Sequence, residues 1–209
     1  MYSRTIPLLN PIKTDKAELK EIVVRTVTAK QVRVAGENYD LEHDPEGFAL
    51  MDYMFDLAIL MTGLSETDLS MLSTPDYNSL KDEVRKLAYS TSEELLREDF
   101  ARDRLAGKRG GKEPEFSLEE PSLLVPIKDE IAGEIKGYRL NPPTVGLTRK
   151  LRNEKDGHKR GMAISAQCTG LHPDIIDQFH MPDFNYLMGK MSDFLTEGSA
   201  FFQKQTSTD

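Results

Sequence analysis

The residues of this chain whose types could carry out chemistry are few, and one group stands apart: Cys168, His172, Asp174 and His180. A thiolate, two imidazoles and a carboxylate in one short stretch are the donor types that hold zinc, but their spacing matches no standard structural site. Cys168 is also the single cysteine, which excludes a disulfide framework within the chain and reads as a small apolar core residue. His43 and His158 fall in charged segments, where titration at the surface is the default. No Gly-x-Ser-x-Gly elbow, His-Glu-x-x-His helix or glycine-rich dinucleotide turn occurs. The stretch Gly107-Lys108-Arg109-Gly110-Gly111-Lys112 lacks the spacing and the preceding strand of a phosphate-binding loop. Carboxylates are abundant, yet no pair is set apart for acid–base work. The expectation is a protein with no catalytic residue, no metal and no cofactor.

A softer chemistry is more evident. Of the nine methionines, all but Met1 fall within residues 51–71 and 162–191. Methionine is flexible and polarisable, so a surface rich in it can repack against several partners, and an apolar groove of this kind suits a partner helix. Met51, Met54, Phe55, Met61, Met188 and Met191 are the candidate protein-binding residues. Plain core filling is the alternative reading.

The elements that must position these residues are written twice. Thr62-Gly63-Leu64 recurs as Thr169-Gly170-Leu171, an offset of 107 (169 − 62), and Pro75-Asp76-Tyr77-Asn78 recurs as Pro182-Asp183-Phe184-Asn185 at the same offset. The apolar positions Leu80, Val84 and Leu87 correspond to Leu187, Met191 and Phe194. Pro11-Ile12-Lys13 answers Pro126-Ile127-Lys128 at 115 (126 − 11), so an insertion or deletion separates the opening of each copy from its helices. A fixed internal period decides the architecture before any local reading does. It also bears on zinc, because the first copy carries Met61, Ser65, Thr67 and Ser73 where the second has Cys168, His172, Asp174 and His180.

Each copy opens with a hairpin signal: Thr5–Leu9 with Glu21–Val27 around Thr14-Asp15-Lys16, and Leu123-Leu124-Val125 with Glu134–Leu140 around Asp129-Glu130. Asp44-Pro45 reads as the N-cap and first residue of a helix bearing Phe48, Met51, Met54, Phe55, Ala58 and Met61, which Gly63 ends. Ser65 and His172 open short helices, and Thr74-Pro75-Asp76 and Met181-Pro182-Asp183 open a third pair. Residues 91–106 extend the third helix or form a further one, the glycine stretch is a linker, and 203–209 read as a frayed tail. The fold class expected is α+β and helix-dominated. It comprises two homologous modules, each a β-hairpin followed by about three helices: residues 1–90, a charged helix and linker over 91–120, a diverged copy over 121–200, and a tail over 201–209.

A net charge of −8 argues against a nucleic-acid partner, and no apolar run approaches a membrane span. Met1-Tyr2-Ser3-Arg4 does not open a signal peptide, so a cytoplasmic location is expected. Charge is uneven: Glu37, Asp40, Glu42, Asp44 and Glu46 fill the first connector, and Arg149, Lys150, Arg152, Lys155, Lys159 and Arg160 the second. Such divergence suits modules that pair with each other or with different surfaces.

The second strand "EIVVRTVTAKQV", the helix running into "LAILMTGLSETDLSML" and the following "PDYNSLKDEV" together resemble the phage tail assembly chaperone family of long-tailed phages, of the type found in Mu-like phages. The likeness covers about residues 5–90, and more loosely 121–197; the usual member has one such module. What it implies is a non-catalytic protein of the host bacterial cytoplasm that binds the tape-measure protein, and tail-tube subunits, and keeps them soluble during tail assembly. Self-association is a further expectation, and a minor structural part retained in the tail or baseplate is the alternative.

Overall fold

The computed structural model describes residues 1–15, 17–108, 112–130 and 133–206, and of residues 204–206 the backbone alone. Lys16 of the first expected turn, 109–111 of the glycine stretch and 207–209 of the tail lie outside the described residues.

β1 (Ser3–Lys13) pairs antiparallel with β2 (Glu18–Arg25), and β3 (Ser122–Asp129) with β4 (Gly133–Gly137). The β-branched run Ile22-Val23-Val24 favours the pleat, and Ile22 and Val24 turn inward while Val23 does not. In both hairpins the register slips at the same place. Pro7 faces Glu21 and Ile12 faces Leu19; Ser122 faces Gly137 and Ile127 faces Ile135. The first strand thus carries excess backbone between its two paired stretches, and Pro11 or Pro126, which cannot donate to a ladder, sits in that excess. The freed donors find another acceptor. Leu9 and Asn10 N–H bind the Asp76 carboxylate at 2.7 and 3.1 Å, and Leu124 and Val125 N–H bind Asp183 at 2.8 and 3.2 Å.

Among the described residues five helices follow each hairpin, where about three are expected from the sequence. The first set is α1 (Ala29–Gly36), α2 (Phe48–Thr62), α3 (Glu66–Ser70), α4 (Thr74–Tyr89) and α5 (Ser92–Leu105). The second is α6 (Val145–Leu151), α7 (Gly157–Thr169), α8 (Pro173–Ile176), α9 (Met181–Thr196) and α10 (Ser199–Thr206). The strand expected through Val27 stops at Arg25, because Thr28 and Gln31 form a capping box that satisfies two orphan donors and starts α1. Asp44 does not cap α2 directly. The chain turns through left-handed Gly47, and the Asp44 carboxylate instead accepts Leu50 N–H at 2.9 Å. Gly63 and Gly170 end α2 and α7 with φ of 72° and 69°, as expected of glycine at this position. Residues 91–106 form a separate helix, capped by Thr91 and Glu94. The tail expected from 201 is largely the helix α10, which begins 107 residues after α5.

Two apolar cores result. One gathers Val24, Leu57, Leu80, Val84, Leu87 and Leu95; the other gathers Leu123, Ile164, Cys168, Phe179, Leu187 and Met191. They meet where α9 lies against α4 and α5, with Met181 in the first core and Phe184 packed on both. At this junction Ala29 N–H and Lys30 N–H bond the carbonyls of Phe179 and Asp177 at 2.8 and 3.0 Å, and Met181 N–H bonds Val27 carbonyl at 2.8 Å. Arg33 reaches Asp177 at 3.1 Å, and Asn185 Nδ2 donates to the carbonyls of Ala88, near the end of α4, and of Ser90 just beyond it. The buried Arg4 holds α5 to β1 by pairing with Glu83, Glu98 and Asp99 at 3.1, 2.9 and 2.9 Å.

Candidate functional site

The zinc-type residues do not converge. Cys168 is fully buried in α7, where burial pushes its thiol up to about 11, out of the range of a reactive thiolate. His172 caps α8, accepting Asp174 N–H through Nδ1 at 3.3 Å. His180 faces the other half, its Nδ1 2.7 Å from Thr26 Oγ1, and burial lowers its pKa. Among the described residues no group of three or more His, Cys, Asp or Glu is placed to hold a metal ion.

The candidate binding residues divide. Met54, Met61 and Met191 lie in the cores, and Met188 is half-buried against the second core, so these four supply packing rather than open surface. The reason is helical phase: α2 runs apolar nearly all round, and the side toward β2 and α4 takes Met54, Leu57 and Met61. Met51 and Phe55 lie on another side. With Phe48 they form an i, i+3, i+7 stripe in which Phe48 is 60% and Met51 61% exposed. Phe55 is half-buried, its ring 5.9 Å from that of Tyr77.

Met51 and Phe55 of this stripe line an open groove of about 310 Å³ together with Leu69 and Ser70 of α3 and with Leu72, Thr74 and Tyr77; Phe48 lies outside the lining. Asp52 places a carboxylate at its edge. Burial raises the pKa of the Tyr77 hydroxyl, so it stays neutral at physiological pH. An apolar trough with one acidic margin and neutral hydroxyl groups is suited to receiving an amphipathic segment of a protein.

Phe48, Leu72 and Tyr77 are absent from the sequence-derived set because their spacing also fits a core stripe. The signal that could have distinguished Phe48 and Met51 is the expected repeat: at its offset of 107 stand Lys155 and His158, and a position that tolerates lysine is not core.

Residues 5–88, from the first hairpin through α4, match the model of a family described as phage tail assembly chaperone proteins, E, or 41 or 14. The match contains every residue of the groove. No curated protein and no solved structure matches the chain. Among the described residues no helix is long and apolar enough to cross a membrane.

Proposed function

We propose that this protein is a non-catalytic phage tail assembly chaperone. It works in the host cytoplasm, binding apolar segments of the tape-measure protein, and of tail-tube subunits, and shielding them from aggregation until the tube polymerises. The observation that carries this reading is the coincidence of the family match with the exposed Phe48–Met51–Phe55 stripe beside its groove. A long helical client exposes apolar faces, and covering them by mass action keeps it dispersed.

The same reading takes the chain as a tandem duplication. Four independent features support it: the shared hairpin register, the paired carboxylate bridges of Asp76 and Asp183, the left-handed Gly63 and Gly170, and the matching starts of α5 and α10.

Co-expression with the tape-measure protein, followed by size-exclusion chromatography, tests the function. Co-elution that Phe48→Asp or Met51→Asp abolishes is the expected result; a tape measure that elutes or precipitates on its own would sink the proposal. Mass spectrometry of finished tails should find the chain missing, whereas its presence at a fixed copy number would assign it a structural place instead.

A further inference from the structure

We propose that the chain associates head to tail with further copies of itself, the face around Leu9, Leu72 and Tyr77 of one chain receiving the Val145–Arg149 edge and Leu195 of the next. The template is the junction inside the chain. There the second half packs Leu124 and Phe184 against the first core and offers the Phe179 carbonyl, and the first half meets them with the start of α1 and the end of α4. The counterparts of these residues, at offsets of 115 and 107, are Leu9, Leu72 and Tyr77. Among the described residues these are covered only in part: Leu9 is 72% exposed, and Leu72 and Tyr77, half-buried against the first core, still line the open groove.

The covering elements are unmatched in the same way. Thr28, which caps α1, corresponds to Thr144, which caps α6, so Ala29 corresponds to Val145 and Arg33 to Arg149. Ala29 is 7% exposed at the junction, whereas Val145 is 74% exposed. Ala88, buried near the end of α4, corresponds to Leu195, which is 49% exposed near the end of α9. Each chain therefore displays one uncovered copy of either side of an interface it already makes internally.

Charge agrees with this pairing. The edge to be docked carries Arg149 and Lys150, followed by Arg152 and Lys155, while the groove has Asp52 where its internal counterpart has Lys159. A second copy presents basic residues to the acidic member of the pair. Because the two faces differ, the contact is heterologous and propagates until a ring closes or a filament grows. Docking in the internal manner leaves Phe48 and Met51 open, since Lys155 and His158 at the equivalent positions stay exposed beside the internal junction.

The inference rests on the proposed equivalence of the two halves, which the matching unfolding costs expected of Gly63→Ala and Gly170→Ala check without reference to association. Sedimentation velocity of the full chain over a concentration series should show reversible growth in mass. Leu9→Asp and Val145→Asp each alter an exposed side chain, and each alone should weaken association roughly tenfold or more. Leu195→Asp is the second variant of the docking edge, should Val145→Asp perturb folding. An equimolar mixture of Leu9→Asp and Val145→Asp chains should recover a one-to-one dimer and stop there, since each retains the face the other lacks. A wild-type chain that stays monomeric, single variants that assemble like wild type, or a mixture that forms no dimer would each overturn the proposal.

Discussion

The Asp183 carboxylate accepts the Leu124 backbone N–H at 2.8 Å, and Asp76 accepts that of Leu9 at 2.7 Å. The hydrogen bonds match, but the surroundings do not. Asp183 lies beneath the first half, and burial pushes its pKa up to about 6 against the pull of its N–H partners. Asp76 is buried as well, but there the Ser73 hydroxyl and the Leu9 N–H prevail over burial and hold its pKa below the usual carboxylate range.

These two groups should therefore give opposite pH dependences. Asp183 binds its proton more tightly folded than unfolded, so its contribution is most favourable below about pH 4 and is lost as pH rises through about 6, a span of about 3 kcal/mol. Asp76 binds its proton less tightly when folded, so its stabilisation is present above the ordinary carboxylate pKa and is lost as pH falls through the lowered value. In thermal unfolding from pH 4 to 8, Asp183→Asn should flatten the dependence near 6 and leave stability near neutral pH little changed. Asp76→Asn should destabilise at neutral pH, by an amount that shrinks toward acid.

Arg4→Met should cost about 3 kcal/mol in chemical denaturation. It strands Glu83, Glu98 and Asp99 around a buried, uncharged side chain. Hydrogen exchange should place the loss in α5 and β1, ahead of the rest of the first half. Equal acceleration throughout the chain would mean that Arg4 does not tie these two elements together.

Met54→Asp and Met51→Asp should separate folding from binding. Met54 is buried, so a carboxylate there should destabilise by about 3 kcal/mol or more. Met51→Asp and Phe48→Asp lie at the surface and should stay within about 0.5 kcal/mol of wild type while weakening capture of the tape measure. Denaturation midpoints read beside pull-down yields distinguish the two effects.

Gly63→Ala and Gly170→Ala should each cost about 1 kcal/mol, because both positions hold a left-handed backbone that a Cβ strains. Among the described residues no atom beyond the adjoining residues lies within 4 Å of either added Cβ, so the strain is conformational and should be of similar size in the two halves. The double variant should show the sum of the single costs. A marked difference between the single costs would mean that one end is held by packing instead.

Much of this architecture was legible in the sequence because repetition amplifies weak signals. Gly63 alone suggests a helix end; Gly63 with Gly170 in the same frame fixes one. Both hairpins, the helices α2, α4, α7 and α9, and the short α3 and α8 follow from such punctuation. α1 was hidden because β-branched residues lead up to its capping Thr28, and α6 because Pro142-Pro143 ahead of its capping Thr144 marks only the end of a strand. The surface was harder to see. Phe48 and Met51 share their periodicity with the core, and only which side of α2 meets β2 and α4 decides exposure. The Arg4 cluster joins residues separated by most of the first half, and local spacing carries no trace of it.

On the proposed duplication, Lys155 and His158 stand where the first half has Phe48 and Met51, so the proposed client site would occur once per polypeptide. A saturating titration should reach one client segment per chain rather than two. Along a string of such chains, recognition sites would recur only at every other module, so a client must repeat its own sticky segments at that longer pitch to be held throughout its length.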